Sequence, residues 1–165
     1  MSTRTLQLQP LTAEAFASFG TVVELDEMDP LPINEGYTLK FGDLLPLDCK
    51  HEGGRVAMHF YRSKARSLPI ELEGMERHPL GSQAFWPLQN QPYAVVVAPP
   101  SEKLDESAIQ GFITSGRQAI QYHRGTWHHY QISLDADTDF IVLDREGPGN
   151  NCDEIALATP LTILL

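Results

Sequence analysis

A chain of 165 residues with 12 Lys and Arg against 22 Asp and Glu carries a formal net charge of −10 and has room for one hydrophobic core. A surface that negative repels phosphate backbones, which argues against nucleic acid as a partner, and no apolar run approaches the ~18–20 residues of a membrane span. The opening MSTRTLQLQPLTAEAF lacks the apolar stretch of a secretory signal, and Cys49 and Cys152 have no paired spacing, so a single domain (residues 1–165) in a reducing cytoplasm is expected.

Along the chain, Thr12 to Phe19 reads as one short amphipathic helix. Thr12 suits the N-cap, Glu14 favours the positive helix start, and Gly20 can close the end in a left-handed conformation. Strand signals dominate beyond it: Thr21–Leu25, Tyr37–Leu45, Val56–Arg62, Ile70–Glu76, Gln83–Pro87, Tyr93–Ala98, Gln118–Tyr122, His128–Leu134 and Asp139–Arg145. These runs are short, rich in β-branched and aromatic residues, and separated by turn formers. A weaker helical turn is predicted at Asp105–Gln110, with Asp105 or Ser107 as cap. Many antiparallel strands and little helix point to a mainly β chain closed as a barrel or jelly roll, because closure removes exposed edges. An open sandwich fits the strand count nearly as well; ionisable groups inside strand patterns favour the barrel, which can enclose a cavity.

Two stretches carry most of the chemistry: Glu76-Arg77-His78 followed by Gln83, and His123-Arg124-Gly125-Thr126-Trp127-His128-His129. Strand alternation puts Glu76 and His78 on one face and Arg77 on the other, with Gln83 able to rejoin that side after a turn at Pro79-Leu80-Gly81. His128 falls in register with Tyr130, Ile132 and Leu134, the apparent interior face, and His129 alternates to the opposite face, outside the cavity. His51 and His59 read as turn and strand residues without a chemical role. His123 can act as a second base or orient Trp127, and a structural role is favoured. Asn34, in Ile33-Asn34-Glu35-Gly36, reads as a turn residue.

The spacings Glu76-x-His78-x4-Gln83 and Gly125-x2-His128 resemble the two motifs of the cupin jelly rolls. Glu stands where the first motif has its leading His, and Gln where it has Glu. Carboxylate and imidazole suit a divalent metal such as nickel, manganese or zinc, whereas an amide oxygen is a weak ligand. The longer strings Glu76-Arg77-His78-Pro79-Leu80-Gly81-Ser82-Gln83-Ala84-Phe85 and Tyr122-His123-Arg124-Gly125-Thr126-Trp127-His128-His129 resemble signatures of the ureidoglycolate lyase family. Val95-Val96-Val97-Ala98, Phe112-Ile113-Thr114 and Asp139-Phe140…Asp144-Arg145…Asn151-Cys152-Asp153 follow in matching order, so the likeness runs from about Leu11 to Glu154.

That resemblance implies a cupin fold, a homodimer, and cleavage of (S)-ureidoglycolate to glyoxylate and urea in allantoin and purine breakdown, with nickel as cofactor. It implies Glu76, His78 and His128 as the catalytic group, these three with Gln83 as metal ligands, and Gln83, Lys40 and Arg62 as substrate contacts. Lys40 and Arg62 stand where the family carries basic residues, able to meet the substrate carboxylate. Two other readings stay open: another metal-dependent cupin enzyme such as an isomerase or dioxygenase, and a non-catalytic cupin that binds a small carboxylate.

Overall fold

The computed structural model describes residues 4–165. As expected the chain is mainly β, and its one α-helix among those residues is short, Ala13–Phe16. Thr12 caps it as the sequence suggests, its Oγ1 accepting from the Ala15 N–H at 3.2 Å. The helix stops three residues earlier than predicted, at the Ala17 C-cap. Gly20 opens the strand Gly20–Val23 instead of capping, because there the backbone meets its neighbour closely: a Cβ at Gly20 would lie 1.7 Å from the Gln121 carbonyl oxygen.

Among the described residues the strands form a nine-stranded sheet, a five-stranded sheet and a separate two-stranded hairpin. The five-stranded sheet runs Gly20–Val23, Ala119–Tyr122, Gln83–Pro87, Thr138–Glu146, Arg55–Ser63, every neighbour antiparallel. Its neighbours are distant in sequence, which is the wiring of a jelly roll and not of an up-and-down barrel. The larger sheet places Asp153–Leu164, Ile70–Arg77, Trp127–His128, Tyr93–Ala98 and Gln110–Ile113 side by side.

Between the two sheets lies an aromatic core: Phe85, Ile120, Phe140 and Val142 from one wall, Tyr93, Val95, Val97 and Phe112 from the other, closed by Phe16 and Phe19. Ala94, Val96 and Ala98 pack on the other face of the large sheet with Leu72, Ile132 and Leu161. Tyr93–Ala98 is therefore buried on both faces, as its unbroken apolar run requires.

The structure revises several predicted elements. Tyr37–Leu45 shrinks to Thr38–Lys40, since Asp43 turns into the left-handed region and no partner continues the ladder. The helical turn at Asp105–Gln110 is a single 3-10 turn, Glu106–Ala108, capped by Asp105. The longest strand, Asp153–Leu164, escapes a sequence reading because Pro160 and a register shift between Ala156 and Leu161 break its alternation. His128–Leu134 splits into Trp127–His128 and Ile132–Leu134. Both pieces pair with the same strand, Val97 with His128 and Ala94 with Ile132: three steps on one strand face four on the other. The extra residue reverses the facing, so His128 joins the inter-sheet side while Ile132 and Leu134 join the opposite core, and Tyr130 is exposed.

Candidate active site

Cross-strand register builds the first wall. Glu154 pairs with Glu76, Glu76 with His128, and His128 with Val97, so these side chains form one row across four strands. Val97 belongs to the aromatic core, which fixes the row as facing the space between the sheets. His78 lies one residue past the end of Ile70–Arg77 and is held by its surroundings. Its Nδ1 donates to the Asn151 carbonyl at 2.7 Å, and its own carbonyl accepts from the Gly125 N–H at 2.9 Å. Gly125 sits at φ 81°, a backbone state that glycine adopts at little cost, and this turn brings the His128 segment against His78. Asn151 also accepts the Leu80 N–H on its side chain, so one residue sets both the histidine and the turn after it.

Glu76, His78 and His128 thereby converge. The Glu76 Oε1 lies 4.0 Å from His78 Nε2 and 3.8 Å from His128 Nδ1, and one ligand atom from each residue falls within 4.8 Å of the others. His128 is buried, stacked on Tyr122 with ring centroids 4.2 Å apart and planes 10° apart. Its Nδ1 faces the His129 carbonyl at 3.2 Å, so that nitrogen carries the proton and Nε2 keeps a free lone pair. Burial and the neighbouring His78 push His128 down to about 3, which keeps it neutral at ordinary pH. Burial also raises the Glu76 carboxyl, with His78 opposing and Glu154 adding to the rise. Among the described residues, His78 Nε2 and His128 Nε2 are buried without a hydrogen-bond partner. Two imidazoles with unpartnered Nε2 atoms beside a carboxylate are a donor set that suits a divalent metal. Cys152 and Glu154 come within the same reach of Glu76, but both are exposed at the rim.

The facing wall comes from the smaller sheet. Gln83 pairs with Tyr122, and Asp144 follows the inward-facing Phe140 and Val142 along its strand. The Gln83 side-chain N–H meets Asp144 Oδ2 at 3.4 Å, and Asp144 Oδ1 lies 3.0 Å from His59 Nε2. Tyr61 stands nearby. Burial raises its phenol first, then the charges of Asp144 and Glu76 add to that, so it stays protonated. The same two causes, burial and Glu76, raise Tyr122 strongly. An open cavity of about 490 Å³ adjoins Glu76, lined among others by Gly74, His129, Tyr130 and Glu154.

Four predicted residues, Glu76, His78, Gln83 and His128, are thus brought to one space, and two are not. Lys40 lies exposed on the hairpin that pairs with neither main sheet. Arg62 faces the outer side of its strand with Val56, Met58 and Phe60, and its guanidinium pairs with Asp139 at 2.8 Å. Strand alternation decides this: Ala57, His59 and Tyr61 turn inward, so Arg62 turns out. His59, Asp144, Tyr61 and Tyr122 belong to this wall although none is among the expected site residues. Their signal in the sequence is polar groups spaced by two within apolar strand patterns. His129 is buried, its Nδ1 donating to the Gly74 carbonyl at 2.8 Å. Trp127 is oriented by Ser101 and not by His123, whose ring meets the Ala17 carbonyl at 3.4 Å. Arg77 pairs with Asp153 and covers Trp127. Asn34 is the turn residue predicted, at φ 53°.

Comparison with known proteins adds a family to this geometry. Residues 3–164 match the family model described as ureidoglycolate lyase. A ureidoglycolate lyase of Burkholderia mallei (strain NCTC 10229) is 50% identical over 151 residues, covering 92% of this chain and 88% of that protein. One from Pseudomonas fluorescens (strain Pf0-1) is 44% identical over the same length, covering 92% and 90%. Among solved structures, dTDP-6-deoxy-D-glucose-3,5-epimerase RmlC from Legionella pneumophila Philadelphia 1 aligns with a TM-score of 0.47 at 16% identity, over 78% of this chain and 69% of that one.

Proposed function

Because the chain belongs to the ureidoglycolate lyase family, we propose that it eliminates urea from ureidoglycolate in the pocket of Glu76, His78, Gln83 and His128, as a homodimer in the cytoplasm. The observation that carries the site is the clustering of Glu76, His78 and His128, in which each histidine keeps a buried Nε2 without a hydrogen-bond partner among the described residues. His78 Nε2, His128 Nε2 and Glu76 would hold a divalent metal, with nickel our choice, and Gln83, a weak ligand on the facing wall, contacts the substrate. Such a metal, when bound, supplies positive charge that lowers the pKa of the substrate hydroxyl and offsets its carboxylate.

The remaining chemistry falls to the chain. The hydroxyl gives up its proton, its oxygen forms the carbonyl of glyoxylate, and the carbon–nitrogen bond breaks. The leaving nitrogen keeps that electron pair and gains a proton to become urea. Glu76 can do both proton transfers, taking the hydroxyl proton on its carboxylate and returning it to nitrogen. Neutral His128 and the protonated phenols of Tyr61 and Tyr122 add no charge to the pocket. No external nucleophile is required.

The test is release of urea and glyoxylate from racemic ureidoglycolate, with and without chelator. We expect both products in equal amounts, activity lost to chelator, and recovery with nickel or another divalent ion. No urea under any metal condition would overturn the reading, and ammonia in its place would make the reaction a hydrolysis. Support for the homodimer comes from the edge strand Arg55–Ser63, whose outer face exposes Val56, Met58 and Phe60. Sedimentation equilibrium should give twice the 18.4 kDa chain mass; a monomer at micromolar concentration would remove the dimer.

A further inference from the structure

Gln83 is the one pocket residue whose direction matters as much as its presence. A side-chain amide offers an acceptor on one side and donors on the other, and which side faces the substrate decides what can bind. Asp144 determines that choice. An ionised carboxylate only accepts, so the Gln83 NH2 must turn toward Asp144 Oδ2, 3.4 Å away, and its oxygen must turn from it. The other carboxylate oxygen is occupied by His59 Nε2 at 3.0 Å, which keeps Asp144 from rotating. Glu146 Oε1 also approaches His59, at 3.7 Å, from the outer end of the same strand as Asp144.

The Gln83 Oε1 is left buried with no hydrogen-bond partner among the described residues. An orphaned buried acceptor is destabilising, a cost that a bound donor would remove. Gln83 pairs with Tyr122, and Tyr122 stacks on His128, so that oxygen belongs to the same space as Glu76 and His128. An amide oxygen is a poor metal ligand beside two imidazoles and a carboxylate, and it comes from the opposite sheet. A neutral N–H donor suits it better.

We propose that Asp144, steadied by His59, is a positioning residue that aims the Gln83 amide oxygen into the pocket, where it accepts the ureido N–H of the substrate. The proposal rests on the lyase reading and adds a recognition rule to it. The pocket selects for a substrate that donates a hydrogen bond on the side away from the metal-holding wall.

The experiment is a double-mutant cycle with Q83L, D144N and the pair, assayed for urea release with nickel added. D144N keeps the side-chain shape but can donate as well as accept, so Gln83 loses its enforced direction. Both single variants should raise KM, Q83L by about 10- to 100-fold and D144N by at least about 5-fold, with kcat less affected. The double variant should match Q83L within about twofold, because an oxygen that is gone cannot be misaimed. An Asp144 that only supports the fold would multiply its effect onto that of Q83L, and this result, or a KM unchanged in D144N, overturns the proposal. A wild-type protein that releases no urea removes the lyase reading and this proposal together; an active wild type with multiplying effects removes this one alone. Should D144N fail to fold, the wild type answers by itself. The Gln83 amide protons should be resolved in a nitrogen-15 spectrum, one of them protected from exchange, and averaged, unprotected signals count against the proposal.

Discussion

Replacing His128 by alanine is expected to lower kcat/KM for urea release by at least about 1,000-fold while leaving the chain folded. The variant removes a neutral imidazole whose Nε2 lone pair is buried and has no partner among the described residues. Metal retained after dialysis should fall with it. The ring stacks on Tyr122 and lies 5.1 Å from the His78 ring, so the variant also loses packing, partly offset because a buried group held against its own protonation is not a strong source of stability. Activity within tenfold of wild type would reassign His128 to packing.

The same variant has a pH signature. The native His128 is pushed down to about 3 from an ordinary 6.5, so below pH 6.5 the unfolded chain takes a proton that the native chain refuses. The stability associated with His128 is therefore complete above pH 6.5 and is lost as pH falls toward 3, at up to about 1.4 kcal/mol per pH unit. H128A should show a shallower loss in urea denaturation between pH 7 and pH 4.5. Glu76 acts with the opposite sign: its raised pKa gives stability that is present in acid and lost as pH rises through that value. An acid limb as steep in H128A as in wild type would count against a neutral, buried imidazole.

Glu76→Gln is the second large effect, expected at about 100- to 10,000-fold in kcat with metal content reduced. The amide keeps the shape but cannot take a proton and is a weaker ligand than a carboxylate. Stability should move the other way. Burial already disfavours the Glu76 charge, and Glu154 lies in the adjacent register position, so a neutral side chain should melt at the same temperature or higher. Loss of activity with retained or raised melting temperature separates a chemical role from a structural one. More than a tenth of wild-type kcat in E76Q would place the base and the ligand set elsewhere.

The parts of this site legible in the sequence were those that depend on local spacing. Glu76 and His78 are two residues apart, Gly125 and His128 three, and such intervals survive in an unfolded chain. The relation between walls was not legible. Asp144 and His59 are 85 residues apart, and Gln83 lies 61 from Asp144, so nothing local links them. Arg62 is singled out by its charge and by the family's basic residue at that place, and only the facing of Arg55–Ser63 turns it outward to Asp139.

From sequence alone came the mainly β character, the turn residues, the acidic surface, and the pairing of a carboxylate with imidazoles, because strand alternation and side-chain chemistry are properties of neighbours. Tertiary structure decided which alternation faces inward. One extra residue between His128 and Ile132 reverses a face, and a register shift near Ala156 hides a whole strand. Partners across a sheet are chosen by chain crossings tens of residues long, and their packing, not their spacing, assigns each side chain to the pocket or to solvent.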